Sequence, residues 1–134
     1  MDGWVKNEFA VESGATETVM ADEMLESLET KEGPASKRGV LYEVANGVRI
    51  PNEGEKRFVA YTDENSGGKE VVAQICQVNK ALLSVRRMVA AGNMVVFSPV
   101  ENYMQSTTTG ERVELSEREG MYMVDMWVQG NEDF

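Results

Sequence analysis

The chain contains no histidine, and this absence excludes several classes of enzyme at once. A Ser-His-Asp triad, a Cys-His pair and a zinc site built on an HExxH motif all need an imidazole, so none of them can form within one subunit. Acid-base chemistry would therefore depend on carboxylates, lysine or tyrosine. We expect neither a metal nor a cofactor.

Cysteine is nearly absent as well, because Cys76 is the single one in the chain. It can form neither an internal disulfide nor a metal site with paired cysteines. Its position in the apolar stretch from Val71 to Val78 indicates a buried, unreactive thiol. These features fit a reducing, cytoplasmic setting.

Positive charge is scarce, with 13 Lys and Arg against 23 Asp and Glu and a formal net charge of -10. Phosphate contacts need clustered basic residues, so we expect no nucleic-acid partner. The acidic side chains of the first third of the chain form a cluster that favours a solvated face or loop over a docking site for a basic partner. They are Glu17, Asp22, Glu23, Glu26, Glu29 and Glu32.

Long apolar runs are missing too: none approaches the roughly 20 residues that a membrane-spanning helix needs. The first four residues lack the basic and apolar regions of a secretion signal, so we expect neither a membrane nor a secreted protein. A length of 134 residues suits one domain, residues 1–134, with a polar end from Gly130 to Phe134 that should fray. Nine methionines without a compact repeat favour core filling over a metal site.

The pattern of short apolar segments and polar turns predicts a mostly β domain with one short helix. Helical periodicity is weak from Thr16 to Leu28 and clearest near residues 84–91, where Ser84 can cap the N-terminus and Gly92 can end the helix. Strands are expected at Phe9 to Val11, Phe58 to Tyr61, Glu70 to Val78, Met94 to Phe97, Tyr103 to Gln105, Arg112 to Leu115 and Met121 to Val128. The last of these is interpreted as packing in the core, with a subunit interface as the alternative.

A hairpin is predicted from Val40 to Ile50, with Asn46-Gly47 at its tip, since this dipeptide tolerates the positive φ angles of a type I′ turn. A two-residue turn would pair Val44 with Arg49, and Glu43 with Ile50. Both faces would then mix apolar and polar groups, as expected of an exposed arm.

Three features follow one another along the chain. Phe9 to Val11 leads into Glu12-Ser13-Gly14-Ala15-Thr16, the hairpin comes next, and Leu82-Leu83-Ser84-Val85 then precedes Ala91-Gly92 and an apolar strand. In this order they resemble the peptidase domain of Copia-type retrotransposon polyproteins, which belongs to the retropepsin class. The resemblance spans about residues 9–128.

The resemblance implies an aspartic endopeptidase with a small closed β-barrel, acting as a homodimer on an extended peptide or polyprotein. Glu12 takes the position of the catalytic Asp. The remaining assignments are an active-site turn at Ser13, Gly14, Ala15 and Thr16, a flap at Val44, Ala45, Asn46, Gly47 and Val48, and a second motif at Leu82, Leu83 and Ser84. Aspartic catalysis uses two carboxylates that share a proton, so a single turn per chain also demands a second subunit.

Glu12 is one methylene longer than the Asp of the family's motif, which moves the carboxylate by about 1.5 Å. A misplacement of about 1 Å can cost on the order of a hundredfold in rate. Glu remains an acid of nearly the same intrinsic pKa, about 4.3 against about 3.9. The sequence therefore leaves open an active peptidase, an inactive module that dimerises or binds peptides, and an unrelated β protein without a site.

Overall fold

The computed structural model describes residues 3–44 and 46–130, which are mostly β, as predicted. The strands are β1 Trp4–Glu12, β2 Val19–Met20, β3 Leu41–Glu43, β4 Arg49–Pro51, β5 Gly54–Ala60, β6 Lys69–Ile75, β7 Ala81–Ser84, β8 Asn93–Phe97, β9 Asn102–Ser106, β10 Arg112–Glu114, β11 Ser116–Arg118 and β12 Met121–Gln129. The helices are α1 Pro34–Lys37, α2 Val85–Ala90 and a 3₁₀ turn at Asp22–Leu25.

Seven strands form the main sheet, in the order β11-β12-β1-β7-β2-β6-β5. The pairs β1-β7 and β2-β6 are parallel, and the other neighbours are antiparallel. Two smaller sheets lie outside it: β10-β9-β8, and the hairpin β3-β4, which we call the arm.

The main sheet curls into a half-barrel, and the predicted closed barrel is wrong. Tyr61, directly after β5, exchanges two backbone hydrogen bonds with Trp127 of β12. Within residues 3–44 and 46–130 this is one isolated bridge, because the start of β5 pairs through Glu55 with Lys31 instead. In the described part of the chain, the backbone pairing between the end of β5 and β12 is therefore limited to this bridge.

The core lies inside the curl of the main sheet and contains side chains that alternate along the strands of that sheet. Strand β5 shows the pattern of a half-buried strand, with Gly54, Lys56, Phe58 and Ala60 buried. Five methionines are buried, which confirms their role as core fillers: Met20, Met88, Met104, Met123 and Met126. Strand β12 contributes Met123, Val124, Met126 and Val128, so its predicted core packing is also confirmed.

The predicted helix near residues 84–91 is confirmed as α2. The hydroxyl of Ser84 accepts a hydrogen bond from the backbone amide of Arg87 at 3.2 Å, and Gly92 follows with a φ of +95°. The weak helical signal from Thr16 to Leu28 corresponds only to the 3₁₀ turn. Two apolar residues of this segment are buried without a longer helix: Met20 lies in β2, and Leu25, at the end of the 3₁₀ turn, belongs to the core.

Candidate functional site

Glu12 lies at the last position of β1, where the strand pairs in parallel with β7. Residues 9–12 align with residues 81–84, so Glu12 is placed opposite Ser84. The strand buries Phe9, Ala10 and Val11, while Glu12 is exposed. The buried part of β1 therefore ends one residue before Glu12, and the carboxylate of Glu12 lies at the surface at the end of the strand.

The turn after Glu12 is exposed to solvent, and the side chain of Glu12 makes a hydrogen bond within it. Ser13, Gly14 and Thr16 are exposed, and Ala15 is half-buried. The backbone amide of Gly14 donates a hydrogen bond to Oε1 of Glu12 at 3.3 Å. Asn46 makes the equivalent bond to the amide of Val48, so a side chain shorter by one methylene can close such a turn as well.

Ser84 joins the turn to the second motif and is completely buried. Its hydroxyl donates to the carbonyl oxygen of Ala15 at 2.8 Å and also accepts the amide of Arg87. Its own amide donates to the hydroxyl of Thr18 at 3.0 Å. One side chain thus caps α2 and ties the far end of the Glu12 turn to β7.

Leu82 and Leu83, the two leucines of the second motif, differ in burial and in their strand partners. Leu83 is buried in the core beside Val11, its partner in β1, whereas half-buried Leu82 pairs with Ala10 on one side and Val19 on the other. Both leucines therefore position the turn through packing and backbone pairing.

An ion pair that the sequence did not predict braces the same turn. Arg87, on α2, binds Glu17 with both ends of its guanidinium group, through Nε at 3.0 Å and through Nη2. Hydrogen bonding to Glu17 raises the pKa of Arg87. The charges are 70 residues apart, so no local spacing pointed to the pair.

The arm is the predicted hairpin, but in a different register. Glu43 pairs with Arg49, and Val44 donates its amide to the carbonyl of Val48, so three residues separate the last pair instead of two. Gly47 has a φ of +83°, and Oδ1 of Asn46 accepts the amide of Val48 at 3.0 Å. A longer loop of this kind also uses Asn-Gly, which explains why the dipeptide alone gave the wrong register.

The remaining flap assignments divide by exposure. Asn46, Gly47 and Val48 are exposed and Val44 is half-buried, while the predicted flap residue Ala45 lies outside the described residues. The arm therefore projects from the molecule, as its mixed faces indicated.

A buried polar network at the base of the arm was missed in the sequence. Asn52 accepts the amide of Gly54 at 2.8 Å and donates its side-chain amide to the hydroxyl of Tyr42 at 2.9 Å and to Oε1 of Gln74 at 2.8 Å. Gln74 stands between the apolar residues Ala73 and Ile75 of β6, and this was the available signal. The network ties the arm, through Tyr42, to β6.

Lys56 is a second missed residue and a charged member of the core, with a fully buried side chain. Its ammonium donates to the carbonyls of Asp22 at 2.9 Å and Leu25 at 2.6 Å, and it lies 3.2 Å from the carboxylate of Asp22. A hydrogen bond from Thr30 and then the contact with Lys56 lower the pKa of Asp22. Lys56 thus donates to the carbonyls at both ends of the 3₁₀ turn, and the carbonyl of Leu25 also accepts the amide of Leu28.

The acidic cluster of the first third is mostly solvated. Asp22, Glu23, Glu26, Glu29 and Glu32 are exposed, as the charge pattern indicated. Asp22 departs from the prediction by its contact with Lys56.

Two cavities open near this end of the sheet. The first, of about 300 Å³, is bordered by the Glu12 turn, α1 and the base of the arm. The second, of about 580 Å³, is lined by Cys76, Val44 and acidic side chains such as Glu53. Burial, followed by the nearby Glu53, raises the pKa of Cys76 to about 11, and the thiol is 1% exposed, so the predicted buried, unreactive thiol is consistent with its surroundings.

No family model, curated protein or solved structure matches this chain. No group of three or more metal-ligating side chains occurs in the part of the chain that the structure describes. Across residues 3–44 and 46–130, no helix combines the length and apolar character needed to cross a membrane.

Proposed function

We propose that this chain is a retropepsin-type aspartic endopeptidase of a Copia-like retroelement polyprotein, acting as a homodimer in a reducing compartment. The observation that carries the proposal is the pairing of Glu12 with Ser84 at the end of the parallel strands β1 and β7. The two motifs of the resemblance, far apart in sequence, thus form one unit joined by the Ser84 hydroxyl and the Ala15 carbonyl.

The exposure of Glu12 supports the dimeric part of the proposal. A carboxylate on the surface can meet its copy across a two-fold axis without rearrangement of the core. Two carboxylates in close contact share one proton, because like charges at that distance cannot both ionise.

The dyad would then hydrolyse a peptide bond in the usual two steps. The ionised carboxylate takes a proton from a water molecule, whose oxygen attacks the scissile carbonyl carbon while the protonated carboxyl polarises the carbonyl oxygen. Collapse of the tetrahedral intermediate breaks the C–N bond, and the leaving nitrogen takes up a proton. The arm would cover the bound peptide and exclude bulk water.

The second candidate is a module of the same fold that dimerises or binds peptides without cleaving them. The hydrogen bond from Gly14 to Oε1 of Glu12 favours it, since this bond occupies one of the two carboxylate oxygens within the turn. Both candidates predict peptide binding, and only the first predicts turnover.

Cleavage of a peptide library between pH 4 and 7 separates the two candidates. We expect slow cleavage by the native protein, none by Glu12→Gln, and at least about tenfold faster cleavage by Glu12→Asp, since a misplacement of about 1 Å costs on the order of a hundredfold. Pepstatin should inhibit both active forms. Binding without cleavage in the native protein and in Glu12→Asp would overturn the peptidase and leave the binding module.

A further inference from the structure

The cavity of about 300 Å³ lies between the Glu12 turn and the base of the arm. The residues that line it come from several elements: Thr16 at the end of the turn and the following Glu17, Arg38 after α1, Tyr42 of the arm, Gln74 of β6 and Arg87 of α2. A peptide that passes along the Glu12 turn beneath the arm therefore has this cavity beside it.

The buried network fixes the direction of the polar groups in the cavity. The backbone amide of Gly54 can only donate, so the atom of Asn52 that receives it must be the carbonyl oxygen, and the amide nitrogen of Asn52 faces Tyr42 and Gln74. Tyr42 and Gln74 must then receive these bonds through their oxygens. Each is left with its donor unused: the hydroxyl hydrogen of Tyr42 and the Nε2 amide of Gln74.

Neither donor has a protein acceptor among residues 3–44 and 46–130, and Nε2 of Gln74 is not among the fully buried atoms without a partner, so it is open to the cavity side. Burial raises the pKa of Tyr42, and the charge of Glu17 adds to this shift, while the hydrogen bond from Asn52 opposes it. The cavity therefore contains two neutral donors that are ready for an acceptor.

Arg38 adds a positive charge to the same wall. It lies within 4 Å of no carboxylate in the described part of the chain, while the two glutamates of the cavity are already paired, Glu17 with Arg87 and Glu55 with Arg57. Two arginines and two glutamates line the cavity, and among the described residues Arg38 is the one of these four without an ion pair, because Arg57, the partner of Glu55, lies outside the lining. A ligand with a carboxylate would satisfy both the charge and the free donors.

We propose that this cavity is a subsite that binds the side chain of an Asp or Glu in an extended peptide, through Arg38, Tyr42 and Gln74. This inference rests on the proposed function, because the cavity serves as a subsite only if a peptide lies along the Glu12 turn. It adds a substrate class to the proposed function: extended peptides that carry an Asp or Glu at the position that faces the cavity.

The test compares binding of two pools of octapeptides with blocked ends, alike except that one carries Glu at a single position where the other carries Gln. Blocked ends remove the terminal carboxylate as an alternative source of charge. The proteins are the native chain, Arg38→Gln, Arg38→Lys and Arg86→Gln, the last being a charge-matched control on an exposed arginine outside the cavity. Arg38 is exposed, so its replacement should leave the fold intact.

We expect the native protein to favour Glu over Gln at one position by about fivefold to tenfold, as one charge-assisted bond allows. Arg38→Gln should reduce the preference to less than about twofold, Arg38→Lys should retain part of it, and Arg86→Gln should retain all of it. No preference in the native protein, or an unchanged preference in Arg38→Gln, would overturn the subsite.

Cleavage measured on the same pools keeps this proposal separate from the proposed function. Binding with Glu preference but without cleavage supports the subsite and overturns the peptidase. Cleavage without Glu preference overturns the subsite and leaves the peptidase standing.

Discussion

The end of the main sheet at β1 and β7 and the arm of β3 and β4 border the same candidate site, but different interactions hold them. The sheet end is continuous with the apolar core through Phe9, Val11 and Leu83. The arm exposes its apolar side chain Leu41 and is tied to the body through the polar contact of Tyr42 with Asn52. The candidate site therefore has one wall packed into the apolar core and one wall held by polar contact, and we expect the second to move at a lower cost in stability.

The strongest test of this difference removes apolar contacts from each region in turn. Phe9 is completely buried, so Phe9→Ala should lower the free energy of unfolding by about 4 kcal/mol, the usual cost of such a cavity. Leu41 is 52% exposed, so Leu41→Ala should cost less than about 0.5 kcal/mol. Urea unfolding of both variants measures the two values, and equal losses would remove the distinction between the regions.

Lys56→Met should have the next largest effect, a loss of about 2 to 3 kcal/mol. Methionine fills about the same space but removes the side-chain donor of the Asp22 carbonyl and one of the two donors of the Leu25 carbonyl, which keeps the amide of Leu28. Lys37→Met, on an exposed lysine of α1, is the matched control and should change stability little. If the two variants unfold alike, the charge of Lys56 does not hold the 3₁₀ turn in place.

Ser84→Ala should cost about 1.5 kcal/mol, from the loss of the α2 cap and of the bond to Ala15. Hydrogen exchange should also accelerate at the amides of the Glu12 turn, because Ser84 is what fastens its far end to β7. Ser116→Ala, on an exposed serine of β11, is the control. Faster exchange confined to α2 would show that the turn is held without Ser84.

The sequence predicted those parts of the fold that rest on local patterns. The cap of α2 by Ser84 and its end at Gly92 depend on residues within one short segment, and both appear as expected. The hairpin was predicted from Asn46-Gly47, yet its register was wrong, since the same dipeptide serves turns of two lengths.

What the sequence could not predict was contact between distant polar side chains. The sequence analysis made no prediction for Lys56, and its burial follows from the alternation of β5 and from the carbonyls of Asp22 and Leu25 that it meets. Asn52 and Gln74 are 22 residues apart, and their contact depends on the register of β5 against β6, which places Gly54 opposite Ile75. The barrel was expected to close because the resemblance implied it, whereas in the described part of the chain the backbone pairing between the end of β5 and β12 is limited to one bridge.

The smallest and most specific effect is expected from Tyr42→Phe, which removes the oxygen that joins the arm to Asn52. Asn52 keeps its bond to Gln74, so the free energy of unfolding should fall by about 1 kcal/mol or less. Tyr103→Phe is the matched control, since it removes the same atom from a ring that contacts Arg112 through its face.

Local measurements separate the two regions better than global stability does. In Tyr42→Phe, hydrogen exchange should accelerate in β3 and β4 and remain unchanged in β1 and β7, because the arm has no other polar tie to the body of comparable burial among residues 3–44 and 46–130. The same variant removes one of the free donors of the cavity and should weaken its preference for Glu-containing peptides. Faster exchange in both regions would mean that arm and sheet open as one unit, and the site would then have no movable wall.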